Sequence, residues 1–305
     1  MTMKWEKLGK IFVPDGSVDW MQSHATIPIA DYLEGSLYKI YFSPRDAKNR
    51  SHVAWIIIDI NDPLKVIDYS EKPVLVPGDI GAFDDSGAMA NCLVNVGDKK
   101  YLYYQGCNLG VTVPFRNSIG LSISEDNGNT FKKFALGPII DRTYKEPHFT
   151  ATPTVMYENG LFKVWYLSCV RWVIENDQPK HYYHIKYAES DNGIDWRRDG
   201  VVAIDFKNDN EYAIGVPRVI KENDTYKMWY SYRGDKYRIG YAESKDGITW
   251  QRKDELMNFS VSESGWDSEM VEYPCIFDFK NTRYMLYNGN GYGKSGLGIA
   301  KLINE

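Results

Sequence analysis

Cysteine is scarce in this chain, and its few copies are not paired by spacing. The four residues Cys92, Cys107, Cys169 and Cys275 form no Cys-x-x-Cys, which argues against a zinc ribbon, a redox motif or a disulfide framework. Three of them fall in strand-like runs and read as small buried hydrophobes. The five histidines, His24, His52, His148, His181 and His184, show no His-Glu-x-x-His or other metal spacing, so no metal is expected. Long apolar runs are missing too. Nothing approaches the roughly 18 residues of a membrane span, and Met1–Lys10 lacks the apolar core of a signal peptide. Basic runs are absent and the net charge is −5, which argues against nucleic acid as a partner. No Gly-x-Ser-x-Gly, phosphate-loop or dinucleotide motif occurs. Esterase, kinase and dehydrogenase chemistry therefore has no support, and no cofactor is expected. These absences read as a protein of the cytoplasm with free thiols, its oligomeric state left open.

What the chain has in abundance is aromatic residues and repetition. It carries 23 Tyr and 9 Trp, residues that favour strands and that also line sugar sites. One phrase recurs three times: Ser124-Glu-Asp-Asn-Gly-Asn-Thr-Phe131, Ser190-Asp-Asn-Gly-Ile-Asp-Trp196 and Ser244-Lys-Asp-Gly-Ile-Thr-Trp250. Asn-Gly and Asp-Gly supply the positive φ of a tight hairpin turn, and the aromatic that follows starts the next strand. A second repeat runs in step. Strands led by Pro28, Pro153, Pro217 and Pro274 each precede a Tyr/Trp-rich strand such as Phe162–Tyr166 or Tyr226–Tyr230, and Ala90–Leu93 leads a copy without proline. Five copies at roughly 55–65 residues, each with about four antiparallel strands, predict an all-β, five-bladed β-propeller filling residues 1–305 as one domain. Helix should be nearly absent. The first strand or Leu297–Lys301 should close the ring, because closure removes an exposed edge.

The proline-led strands and the hairpins Tyr187-Ala-Glu-Ser190 and Tyr241-Ala-Glu-Ser244 with their Gly-Ile-x-Trp turns resemble those of the five-bladed propeller glycosidases. That superfamily spans the invertase, levansucrase and arabinanase group and the related mannoside phosphorylases. The likeness covers nearly the whole chain and is strongest toward uncharacterised members from polysaccharide clusters. It implies a site where the inner strands begin, with an acid one or two places before the strand's proline in certain blades. Thr26-Ile27-Pro28, Ala151-Thr152-Pro153 and Gly215-Val216-Pro217 carry no acid there, and only Glu272-Tyr273-Pro274 does.

Glycoside hydrolysis needs one carboxyl raised in pKa to protonate the leaving oxygen and one ionised as base or nucleophile. Glu272 is the candidate acid and Asp85 the candidate base or nucleophile, with Glu211 and Glu269 as further candidates; Asp84, Glu146 and Asp267 lie in similar loops. Arg45, Arg171, Arg218 and Arg233, with Asp46, His24 and the loop residues Tyr287 and Asn288, are candidate substrate-binding residues. An arginine fork grips carboxylate or phosphate, so the ligand should be a carbohydrate, an anionic or activated sugar, or a sugar phosphate. Three functions stay open: a glycosidase-type enzyme of carbohydrate or polysaccharide metabolism, a transferase or phosphorylase on the same scaffold, and a non-catalytic glycan-binding propeller. Ser124-x-Asp-x-Gly-x-x-Phe131 also fits the turn spacing of sialidases, but the other two turns are one residue shorter.

Overall fold

The structure, a computed structural model, describes residues 2–304. Strands make up nearly all of its regular structure. The one helical element among the described residues is the 3-10 turn Asp254–Leu256, and no helix is long and apolar enough to cross a membrane. The chain opens with β1 (Met3–Phe12). An antiparallel sheet of β2 (Ser23–Glu34), β3 (Leu37–Arg45), β4 (Ala54–Asp59) and β5 (Asp62–Tyr69) follows, in that order. The next sheet repeats it with β6 (Ala88–Val96), β7 (Lys99–Leu109), β8 (Phe115–Ser124) and β9 (Lys132–Lys133).

An eight-stranded sheet comes third. It holds β10 (Thr150–Glu158), β11 (Leu161–Glu175), β12 (Gln178–Ser190) and β13 (Val202–Ile204), then β14 (Ala213–Glu222), β15 (Thr225–Arg233), β16 (Tyr237–Ser244) and β17 (Gln251–Arg252). Its halves meet at the single parallel register pair Tyr183–Ala213. After the short β18 (Met257–Asn258), the strands β19 (Glu272–Phe279), β20 (Thr282–Asn288) and β21 (Leu297–Asn304) complete the chain. β21 pairs with β20 on one side and with β1 on the other. The two ends of the chain thus share one sheet, and β1 covers what would be an open edge.

The four proline-led inner strands bend at the same place. Ile27, Thr152, Val216 and Tyr273 directly precede prolines, and all have positive φ, between 41° and 56°. The ladder slips a register at each of these points. Proline belongs at an edge or a bulge, where its missing N–H is not wanted. A β-branched or aromatic residue at positive φ is a real outlier, and an α-type conformation before proline is disfavoured as well. The neighbouring repeat holds the bent backbone in place. The N–H of Ile27 donates to Asn288 Oδ1 (2.8 Å), that of Val216 to Thr152 Oγ1 (3.1 Å) and that of Tyr273 to Ser231 Oγ (2.8 Å).

The repeated turns stitch successive repeats together. Tyr41 donates its hydroxyl proton to Gly128 O (2.8 Å), Tyr103 to Gly193 O (3.0 Å), and Trp165 Nε1 to Gly247 O (2.7 Å). Each donor comes from the repeat before the turn it grips. Gly128 and Gly193 cannot be replaced at low cost: both have positive φ, and a Cβ would stand 2.2 and 2.6 Å from the gripping hydroxyls. Apolar clusters fill the spaces between consecutive repeats. One of them packs Tyr38, Ile40 and Phe42 of β3 against Leu286 and Ile299 at the other end of the chain. The core is therefore a series of interfaces that returns to its start, and the middle is free to hold a site.

Candidate active site

The bent starts of the inner strands surround a cavity of about 480 Å³, lined by the bulge residues Ile27, Thr152, Val216 and Tyr273. Arg45, at the end of β3, and Arg233, at the end of β15, reach into it from the side. Arg45 Nη1 donates to Asn49 Oδ1 (3.0 Å), and Arg233 Nη1 donates to the Tyr292 hydroxyl (2.8 Å). The Arg233 guanidinium also lies 5.4 Å from the Tyr237 ring centre and 5.3 Å from that of Tyr212. Neither arginine has a carboxylate within ion-pair distance, and among the described residues no aspartate or glutamate lines the cavity. Two half-buried guanidinium groups thus face a space with no protein anion in it.

Directly behind the wall sits Glu272, the first residue of β19. It is fully buried, and neither carboxylate oxygen has a well-formed hydrogen bond. Burial holds its pKa well above the usual carboxylate range; Arg233, the Tyr273 hydroxyl and the backbone of Tyr292 offset this only in part. Burial of this kind favours the protonated, neutral form of a carboxyl. Its side chain does not touch the open cavity, but Tyr273 does, and the Tyr273 phenol is influenced by both Glu272 and Arg45. Tyr183 and Tyr237 share a short hydroxyl–hydroxyl hydrogen bond alongside. Two histidines are nearby and neutral. His24 is pushed down to about 4 by burial and then by Arg45 and Lys294, and His181 to about 4 by burial and Arg233.

Most of the other acids singled out from sequence serve the scaffold. Four repeats place a tyrosine at the same point of their second strand, and each hydroxyl donates to an acid, buried in three cases and half-buried in the fourth, that also holds a cation. Tyr104 donates to Asp84, paired with Lys133; Tyr166 to Glu146, paired with Arg198; Tyr230 to Asp254, paired with Arg252; Tyr287 to Asp267, paired with Lys7. The first repeat has Phe42 at this point, with no hydroxyl to satisfy, and no acid accompanies it. Glu211 is gripped by Arg252 with both oxygens. Asp85 accepts from Gly81 N, Ser86 Oγ and Asn108 Nδ2, which ties up its own loop. Glu269 is an exposed side chain opposite Lys236.

The remaining binding candidates divide in the same way. Asp46 caps its own turn by accepting from Lys48 N and Arg50 N, and Arg171 lies over the Tyr182 ring on an exposed edge. Arg218 is buried below the cavity, donating to Thr154 Oγ1 and Pro217 O. Asn288 clamps the last repeat to the first through Ile27 N, Ala25 O and Gly296 O. The structure therefore gathers Arg45, Arg233, Glu272 and His24, while the other eight lie elsewhere. Sequence reasoning missed His181, Tyr183, Tyr237, Tyr273 and Tyr292. Two of them carried a local signal: Tyr273 stands between the retained acid and its proline, and Tyr292 lies in the glycine-rich loop from Tyr287 to Gly293.

Comparison with known proteins agrees with this architecture. Residues 140–259 match the family model described as β-1,4-mannooligosaccharide phosphorylase. The uncharacterised protein Rv1502 of Mycobacterium tuberculosis strain H37Rv is 41% identical over 302 residues, covering 99% of this chain and 100% of that protein. A solved glycoside hydrolase superposes with a TM-score of 0.73 at 15% identity, over 99% of this chain and 91% of its own. A glycosyl hydrolase from Bacteroides ovatus gives 0.71 at 14% identity, over 99% and 94%. At these identities the solved structures speak for the fold.

Proposed function

We propose that this chain, which belongs to the β-propeller glycosidase superfamily and within it to the family of its mycobacterial relative, cleaves glycosidic bonds by phosphorolysis. Its fold is read as one five-bladed domain, the eight-stranded sheet counting as two blades joined by one bridge. The observation that carries the reading is Glu272, a buried, unpaired carboxyl behind a cavity in which Arg45 and Arg233 have no carboxylate partner. Hydrolysis by two carboxylates needs a second acid to act on water or carbon, and none lines this cavity. Phosphate needs no such help, because it is already an anionic nucleophile. Arginine forks are suited to hold it.

In this scheme Glu272 is the proton reservoir and Tyr273 the group that reaches the substrate. The Tyr273 hydroxyl gives its proton to the glycosidic oxygen and takes one from Glu272. The bond from the anomeric carbon to that oxygen breaks, and the leaving alcohol departs neutral. A phosphate oxygen held by Arg45 and Arg233 bonds to the anomeric carbon, giving a sugar 1-phosphate. Glu272 is left ionised and is reprotonated by the proton that the sugar 1-phosphate monoanion releases to solvent as it becomes the dianion. Four free thiols support a reducing compartment, and we place the enzyme in the cytoplasm.

The test is to incubate the protein with a panel of manno- and gluco-oligosaccharides, with and without inorganic phosphate, and to follow products by phosphorus NMR. Phosphate-dependent release of a sugar 1-phosphate is expected. Arg45→Met and Arg233→Met should each raise KM for phosphate about tenfold or more, the worth of a hydrogen bond to a charged group. Cleavage to free sugar at a rate indifferent to phosphate would make the protein a hydrolase instead. Saccharide binding without turnover would leave a binding module.

A further inference from the structure

Besides the arginines the cavity has an apolar flank. Phe115 at the start of β8, Phe149 just before β10, Trp172 on β11 and His181 on β12 form one continuous aromatic cluster, whose His181 end lies close enough to Arg233 to feel its charge. Ring centres are 5.5 Å apart for Phe115–Phe149, 5.6 Å for Phe115–Trp172 and 4.9 Å for Trp172–His181. Interplanar angles of 61°, 69° and 67° make these contacts edge-on. Phe115, Phe149 and His181 line the cavity.

The apolar surface continues outward. Leu109, the last residue of β7, lines the cavity while 76% exposed, and Val111 in the same hairpin is fully exposed. Aliphatic side chains have no π-face for a sugar, yet here they extend the aromatic wall to the cavity mouth.

We propose that the substrate carries an alkyl, acyl or aryl group at its leaving end, and that this group lies along the Leu109–Phe115–Phe149 wall. This rests on the phosphorolysis reading, in which phosphate occupies the arginine side. The wall then receives the departing alcohol, and its aliphatic mouth selects for an apolar one.

A sugar-independent probe tests the wall. Ethyl, butyl, hexyl and octyl phosphate, below their micellar concentrations, present a phosphate to the arginines and a chain of graded length to the wall. Binding is read by calorimetry, with inorganic phosphate as reference. Affinity is expected to rise by up to about fourfold per methylene along the series, the factor for burying one such group. Leu109→Ser and Phe115→Ser should each lower the octyl-to-ethyl affinity ratio by about tenfold. A flat series in the wild type, or a gradient that survives both substitutions, would overturn the proposal. The catalytic reading fails separately: a steep series in a protein that releases no sugar 1-phosphate would reject phosphorolysis and leave the wall standing.

Discussion

Glu272 joins the chemistry of the site to the stability of the fold. Folded, its carboxyl holds a proton far above its ordinary value of 4.5, because burial penalises the charge. Unfolded, it ionises near that value. Between the two, folding takes up a proton, so the stability tied to Glu272 is whole below about 4.5 and is lost as pH rises toward the raised pKa. Glu272→Gln cannot ionise. Thermal unfolding of the variant should match the wild type at pH 4 and exceed it progressively as the pH rises above about 4.5. Turnover should fall by about 10²–10⁴, the usual worth of an acid catalyst. Parallel pH dependences of the two melting curves would show that Glu272 is ionised in the folded protein, and would remove it as the acid.

At the scale of elements, the inner strands and their acids explain each other. The bulges aim Ile27, Thr152, Val216 and Tyr273 into the cavity, and strain of this kind persists only where surrounding contacts over-determine it. Of the acids just before inner strands, which from sequence could have been catalytic, Asp84, Glu146 and Asp267 brace the second strands through tyrosine hydroxyls, and Glu211 is held by Arg252. Glu146 shows the cost of removing one. It accepts from Tyr166, Arg198 and Lys186 and is buried. Glu146→Ala should lower stability by about 3 kcal/mol in urea unfolding, because two half-buried cations lose their buried anion. Tyr166→Phe should cost only about 1 kcal/mol, since the charges remain paired and Phe42 already fills this position in the first repeat. Equal costs for the two variants would mean that the hydroxyl, not the charge pair, dominates.

At the scale of the molecule, the returning series of interfaces depends on β1. It pairs with β21 along most of its length, and Lys7 reaches Asp267 at 2.6 Å. Deleting residues 1–12 uncovers the edge of β21 and leaves Asp267 to Tyr287 alone. The shortened chain should melt well below the full one and self-associate through the open edge. Size-exclusion chromatography with a thermal scan checks this. A monomer of unchanged melting temperature would mean that the contacts between repeats hold the molecule together without the shared sheet.

The amino-acid sequence by itself determined the all-β architecture, the hairpins and the near absence of helix. Those features rest on alternation, turn residues and repetition, which are local and leave their mark at fixed spacing. It also singled out Glu272 and the arginines at the strand ends, because position relative to a repeat can be counted. The tertiary structure decided which acids are catalytic candidates and which are braces. Asp84, Glu146 and Glu211 differ from Glu272 in what stands opposite them, a lysine or arginine from a distant stretch of chain. Burial decided the rest. Nothing local tells that Tyr183, Tyr237 and Tyr273 meet around one cavity, since they belong to three strands brought together only when the repeats pack side by side.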